Sequence, residues 1–72
     1  MKEKIVSIIA DILGESEQKI NEAFLDEGLW DSLKKVEIIF ALEDEFGITF
    51  EQEEIAGIKT PQDILAIVES KS

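Results

Sequence analysis

Apolar residues recur at helical spacing along much of the 72-residue chain. Near the N-terminus they follow the i, i+3, i+4, i+7 spacing of one helical face, at Ile5, Ile8, Ile9 and Ile12. Gly14 stands where such a helix would end, because glycine tolerates the left-handed backbone of a helix C-terminus. The pattern predicts a first helix over residues 3–13.

The next segment, residues 15–30, has no sustained hydrophobic period. It nevertheless carries apolar side chains that would hold a loop against a core, at Ile20, Phe24, Leu25 and Leu29. We interpret this segment as a packed loop with at most one short turn.

A second helix is predicted to begin at Asp31, whose carboxylate suits the unpaired N–H groups of a first helical turn. Ser32 then lies in that turn, and Gly47 ends the helix after Phe46. Two apolar stripes predict a wide buried face, formed by Leu33, Val36 and Phe40 and by Ile39, Leu42 and Phe46. The side chains expected to face water are Lys34, Lys35, Glu37, Asp44 and Glu45.

The last third of the chain predicts a short third helix over residues 51–57 and a fourth helix. The fourth helix has Thr60 as cap, Pro61 in its first position and Asp63 in its third. Its buried side chains are expected to be Pro61, Ile64, Leu65 and Val68. The fold class is therefore all-α, an irregular four-helix bundle with three main helices and one short one, and residues 1–72 form a single domain.

Charge narrows the range of partners. The chain has 17 acidic residues against 7 basic ones, a net charge of −10, which repels nucleic acid phosphates and anionic lipids and favours basic proteins. The absence of cysteine excludes disulfides and thiolate metal sites. No apolar run is long enough for a signal peptide or a membrane span, so we expect a cytoplasmic protein without membrane contact.

Missing residue types also exclude most catalytic arrangements. Histidine, cysteine and tyrosine are absent, so Ser32 has no imidazole base, and we expect neither an enzyme nor catalytic residues. The acidic runs at residues 43–45 and 51–54 lack the ligand spacing of a calcium loop, so no metal site is predicted.

Ser32 remains the candidate for chemistry performed by another enzyme. A phosphodiester or a phosphate at the start of a helix lies where free N–H groups and the helix dipole favour negative charge. The residues alone leave both modifications open, because phosphorylation satisfies the same argument.

The run FLDEGLWDSLKKVEIIFALEDEFGITF, residues 24–50, resembles the acyl carrier protein and peptidyl carrier protein family. The family's attachment motif D-S-L is matched by Asp31, Ser32 and Leu33. Further matches in the same register are Val36, Glu37, Leu42, Glu43, Phe46 and Gly47. Residues 60–64 also resemble the opening of the family's last helix, so the resemblance covers nearly the whole chain.

The resemblance implies that a phosphopantetheinyl transferase attaches 4'-phosphopantetheine, taken from coenzyme A, to Ser32. Asp31 would present the serine, and Leu33 would seat the motif against the core. Acyl or aminoacyl groups would be held as thioesters and passed between loading and processing enzymes of fatty-acid, polyketide or related biosynthesis. Basic patches on those enzymes would dock onto the acidic residues Glu37, Glu43 and Asp44 of a monomeric carrier. Phe40 and Trp30 are further candidates for partner contact. The alternative is an acidic helical interaction module without a prosthetic group.

Three departures from the family pattern bear on cargo and partners. Lys34 and Lys35 follow the motif directly and make the field beside Ser32 less negative. Trp30 is interpreted as a loop anchor or a contact with a partner protein. Phe40 and Phe50 are interpreted as core residues, and of the two Phe40 is the better candidate for a contact with a partner. Ile55 and Ile64 occupy positions that are often alanine in fatty-acid carriers, which favours short or polar cargo.

Overall fold

Five helices form in the computed structural model, which describes residues 1–71. They are α1 (Lys2–Leu13), α2 (Glu17–Glu22), α3 (Ser32–Phe46), α4 (Gln52–Gly57) and α5 (Pro61–Lys71). The all-α prediction is confirmed, and the three main helices α1, α3 and α5 are the ones that hydrophobic spacing predicted. None of the helices described between residues 1 and 71 is long and apolar enough to cross a membrane.

Local capping chemistry sets the helix ends where the sequence predicted them. Gly14 and Gly47 have positive φ angles of 69° and 65° and end α1 and α3. At the start of α5, Thr60 and Asp63 form reciprocal hydrogen bonds. The Asp63 N–H donates to Thr60 Oγ1 at 3.2 Å, and the Thr60 N–H donates to Asp63 Oδ2 at 3.1 Å.

Helix α2 lies in the segment that we expected to be a loop. Ser16 starts it, since its Oγ accepts the Lys19 N–H at 3.1 Å. Glu17 places an acid in the first turn, and Lys19 pairs with Glu15 at 3.4 Å. With six residues, this helix is too short to show a hydrophobic period, and Ile20 is its only buried residue.

The core surrounds α1, which contacts α2, α3 and α5. Buried apolar side chains come from every helix except α4, from the connection between α2 and α3, and from the connections on either side of α4. They are Ile5, Val6, Ile9, Ala10, Ile20, Phe24, Ile38, Ile39, Leu42, Phe50, Ile58, Ile64, Leu65 and Val68. Phe50 is thus confirmed as a core residue, and so are the predicted apolar positions of α5.

The predicted wide buried face of α3 is wrong in one of its two stripes. Leu33, Val36 and Phe40 are 78%, 44% and 65% exposed, whereas Ile39 and Leu42 are buried. Corresponding members of the two stripes are six positions apart, which at 3.6 residues per turn places the stripes about 120° apart around the helix. Only one stripe can face α1, and Ile38 widens that face on its other side. Leu33 therefore does not seat the motif against the core, and Phe40 is not a core residue.

The connection between α2 and α3 contains three of the expected apolar positions, and two of them pack against the core. Phe24 is buried, its carbonyl accepts the Gln62 N–H at 3.1 Å, and Leu29 packs against the core. Leu25 was expected to pack as well, but it is 74% exposed, because Phe24 takes the inward position at the end of α2. Trp30 is half-buried against the core, as an anchor of this connection.

Candidate functional site

Asp31 shapes the start of α3. Its backbone is extended, with φ −93° and ψ −178°, and its Oδ1 accepts the Lys34 N–H at 2.8 Å. Its carbonyl accepts the Lys35 N–H at 3.0 Å. This is the N-cap that the sequence predicted, and it fixes the direction in which the first turn of α3 leaves the preceding connection.

Ser32 occupies the first position of α3 and is exposed. Within residues 1–71, the N–H groups of Ser32 and Leu33 have no partner from the chain, as is usual for a first helical turn. The Ser32 hydroxyl is thus accessible, next to two free backbone donors that favour an anion.

A pocket of about 190 Å³ lies beside Ser32. It is lined by Glu27, Trp30, Asp31, Ser32, Lys35, Ile58 and Lys59. Trp30 and Ile58 give it apolar surface. Lys35 and Lys59 contribute positive charge and Glu27 and Asp31 negative charge. Three parts of the chain therefore meet here: the connection before α3, the first turns of α3, and the connection between α4 and α5.

The exposed apolar side chains of α3 continue along the helix from Ser32. Leu33, Val36 and Phe40 form an apolar strip on one face. The exposed carboxylates of Glu37 and Asp44 lie on the same helix. An apolar strip with acidic neighbours is typical of a surface that another protein covers.

Glu43 and Trp30, the other predicted partner-binding residues, are more enclosed than we expected. Glu43 is partly buried, and its Oε2 accepts the Phe50 N–H at 2.8 Å. This bond links α3 to the connection before α4. Trp30 packs against the core on one side and lines the pocket on the other.

Glu37 lies 3.3 Å from Lys34 Nζ, measured to its Oε2. This pair compensates much of the charge of the first lysine after the motif. Lys34 and Lys35, which we expected to face water, are both partly buried.

Sequence reasoning missed two lining residues that stand far from the motif along the chain. Lys59 and Ile58 precede the Thr60 cap and reach the pocket only because α5 begins beside Phe24. One sequence alone does not predict that residues 58–59 lie next to residue 32. Glu27 was missed because nothing in its surroundings marks it.

The chemistry available at this site is that of an acceptor. The sequence supplies a serine hydroxyl but no histidine, cysteine or tyrosine that would take its proton. Among residues 1–71, no group of three or more acidic residues is arranged to hold a metal ion. The arrangement therefore suits a hydroxyl that another protein modifies.

Comparison with known proteins agrees with the resemblance seen in the sequence. A family model described as "Phosphopantetheine attachment site" matches residues 3–68. The acyl carrier protein of Thermosynechococcus vestitus is 39% identical over 71 residues, covering 96% of this chain and 88% of the relative. That of Petrotoga mobilis is 38% identical, covering 96% and 84%, and that of Solidesulfovibrio magneticus is 37% identical, covering 96% and 91%. The chain therefore belongs to the phosphopantetheine attachment family, that of the acyl carrier proteins, and its prosthetic group is 4'-phosphopantetheine.

Proposed function

We propose that Ser32 is the residue that carries 4'-phosphopantetheine, and that the protein presents acyl or aminoacyl groups to partner enzymes from this point. The observation that carries the proposal is the exposed Ser32 hydroxyl, at the first position of a capped helix and on the rim of a pocket that contains two lysines. When bound, the group supplies a terminal thiol, on which acyl groups are held as thioesters.

The residues around Ser32 fit such a group. A phosphodiester adds one negative charge, and the free N–H groups of the first turn of α3 and the side chains of Lys35 and Lys59 are donors suited to it. Asp31 keeps its carboxylate on the Lys34 N–H and so holds the first turn in place without blocking the hydroxyl. These features favour a carrier over an interaction module that lacks a prosthetic group.

The attachment step requires a base that this chain does not contain. The bond that forms joins Ser32 Oγ to the phosphorus of coenzyme A that bears the pantetheine. The pyrophosphate P–O bond of coenzyme A breaks, adenosine 3',5'-bisphosphate leaves, and the serine proton must be taken up as the new bond forms. With no histidine in the sequence, that proton goes to a group of the transferase, and Ser32 contributes position and accessibility.

Partner docking is proposed on the exposed face of α3. The strip of Leu33, Val36 and Phe40 supplies apolar contact, and the exposed acids Glu37 and Asp44 attract basic patches over a longer range. Glu43 and Trp30 support this surface from below through their contacts within the protein.

The test is mass spectrometry after incubation with coenzyme A, Mg²⁺ and a broadly accepting phosphopantetheinyl transferase. We expect one phosphopantetheine on the wild-type protein, mapped to Ser32, and none on Ser32→Ala. Ser7→Ala, which changes another exposed serine in α1, is the matched control and should be labelled fully. A folded wild-type protein that stays unlabelled, or a label elsewhere, would overturn the proposal. Phosphate alone on Ser32 in protein taken from its source cell would favour the phosphorylated interaction module instead.

A further inference from the structure

Five of the seven lysines have a partner within residues 1–71. Four pair with carboxylates: Lys4 with Glu45 at 3.2 Å, Lys19 with Glu15 at 3.4 Å, Lys34 with Glu37 at 3.3 Å and Lys71 with Glu54 at 3.0 Å. Lys2 Nζ lies 4.6 Å from the centroid of the Phe24 ring. The other two, Lys35 and Lys59, have no carboxylate of residues 1–71 within salt-bridge distance.

These two unpaired lysines lie together, although 24 positions separate them in the sequence. Both line the pocket beside Ser32, Lys35 from α3 and Lys59 from the connection before α5. The chain has 17 acidic residues, yet the two lysines without a salt-bridge partner in the described part of the chain line the same pocket. Two acids also line it, but the Asp31 carboxylate is already bonded to the Lys34 N–H, and Glu27 has no ion pair with either lysine.

Two lysines that line one pocket together with Ser32 suit a singly charged phosphodiester. Each lysine is a compact point charge on a flexible stem, so it can adjust to a phosphate without the rigid planar fork of an arginine side chain. In the unmodified protein both lysines line this pocket without a carboxylate from residues 1–71 at salt-bridge distance, and a phosphodiester at Ser32 would give them an anionic partner.

We propose that Lys35 and Lys59 together hold the phosphodiester formed at Ser32 and so set the direction in which the arm leaves the protein. This role rests on the proposed attachment at Ser32. The proposal gives different roles to the two lysines that follow the motif. Lys34 is paired with Glu37, whereas Lys35 contacts the phosphodiester of the prosthetic group. Both lysines are positioning residues, because the chemistry of the thiol takes place at the far end of the arm.

The experiment compares apo and holo forms of three proteins: wild type, Lys35→Gln/Lys59→Gln, and the matched control Lys4→Gln/Lys19→Gln. The control removes the same charge from exposed ion pairs outside the pocket. Mass spectrometry first establishes that each holo form carries the group. The melting temperature of each form and the ³¹P relaxation of each holo form are then measured at low salt and at about 1 M salt.

The expected result is a holo-minus-apo difference in Tm that is about 4 °C larger in the wild type and in the control than in the pocket variant. The ³¹P resonance of the wild type should relax faster at low salt than that of the pocket variant, because the phosphate is held. High salt should bring the two closer.

Equal Tm differences in all three proteins, with equal ³¹P relaxation, would overturn the role of the lysines while leaving the attachment at Ser32 intact. The same follows if both double variants lose the difference alike, since net charge would then explain it. If the pocket variant does not fold, the salt dependence of ³¹P relaxation in wild-type holo protein decides alone. A wild type that takes up no group would overturn the proposed function, and this role with it.

Discussion

Ile38 and Phe40 are two positions apart on α3 and have opposite surroundings. Ile38 is fully buried, whereas Phe40 is 65% exposed. Both are large and apolar, so the type of residue does not distinguish a core position from a surface contact. What distinguishes them is the side of α3 that faces α1.

Truncating each side chain should separate stability from partner recognition. We expect Ile38→Ala to lower the free energy of unfolding by about 2–5 kcal/mol, through lost burial and a cavity. Phe40→Ala should change it by less than about 0.5 kcal/mol and yet slow acyl transfer by a partner enzyme acting on the holo protein. Urea unfolding and a transfer assay measure the two quantities.

The control for Phe40 is Leu25→Ala, which removes an apolar side chain that is 74% exposed and lies outside α3. This variant should keep both stability and turnover. A Phe40→Ala protein with full turnover, or with a large loss of stability, would contradict the docking role of that residue.

The hydrogen bond of Glu43 should contribute to stability, because its carboxylate accepts the partly buried Phe50 N–H at 2.8 Å. Glu43→Ala leaves that donor without a partner and should cost about 1–3 kcal/mol of unfolding free energy. Glu43→Gln keeps an oxygen acceptor and should cost less. Asp44→Ala, which changes an exposed neighbour, should leave the free energy of unfolding nearly unchanged. Equal urea midpoints for Glu43→Ala and Asp44→Ala would contradict the stabilising role of the Glu43 hydrogen bond.

At the scale of the element, α4 shows how a helix of six residues is held. None of its own residues is fully buried, but Ile55 packs against the core. Glu54 accepts the Glu51 N–H at 2.8 Å and pairs with Lys71 of α5 at 3.0 Å. The pKa of Glu54 lies below its ordinary value of 4.5. The main cause is the hydrogen bond from the Glu51 backbone, and the interaction with Lys71 is the next largest.

The pH dependence follows from the sign of that shift. A carboxyl whose pKa is lower in the folded protein stabilises the fold above its unfolded pKa, and this contribution disappears as pH falls through the folded value. We therefore expect wild type to be more stable than Glu54→Gln at pH 7, with the gap closing below about pH 4.5. Thermal unfolding at a series of pH values tests this, and a gap that widened on acidification would contradict it.

The ends of the helices were predictable from the sequence, but the rotation of α3 was not. Asp31, Gly47 and Thr60 act on their own neighbours, so their effect is local and can be read from adjacent residues. Which stripe of α3 is buried depends on where α1 lies, which a single helix does not specify. Helix α2 escaped prediction because its stability comes from the Ser16 cap and one buried side chain rather than from a period.

At the scale of the whole molecule, the motif was predictable and the pocket beside it was not. Asp31, Ser32 and Leu33 are contiguous, whereas the pocket also needs residues 58–59, which the fold brings to residue 32. The link is the Gln62 N–H bond to the Phe24 carbonyl, a contact between distant parts of the chain. The sequence shows that Lys34 and Lys35 differ from the family pattern. Only the structure shows that Lys34 is paired with Glu37 and that Lys35 has no such partner among the described residues.

The packed interior supports the expectation of short or polar cargo. Ile64 is fully buried and Ile55 packs against the core, so a long alkyl chain would have to displace well-packed side chains. We expect a hexadecanoyl form to melt within about 2 °C of the bare holo form, as an acetyl form should. Calorimetry on the three forms measures this, and a clearly higher Tm for the hexadecanoyl form alone would show that the chain is sheltered inside.

The pocket also supplies its own optical reporter. Trp30 is the only tryptophan, and the chain has no tyrosine, so ultraviolet emission from the protein originates almost entirely at the wall of this pocket. We therefore expect the proposed attachment at Ser32, and a partner that binds beside it, to change the emission of Trp30, which can be recorded on the unlabelled protein without an added dye.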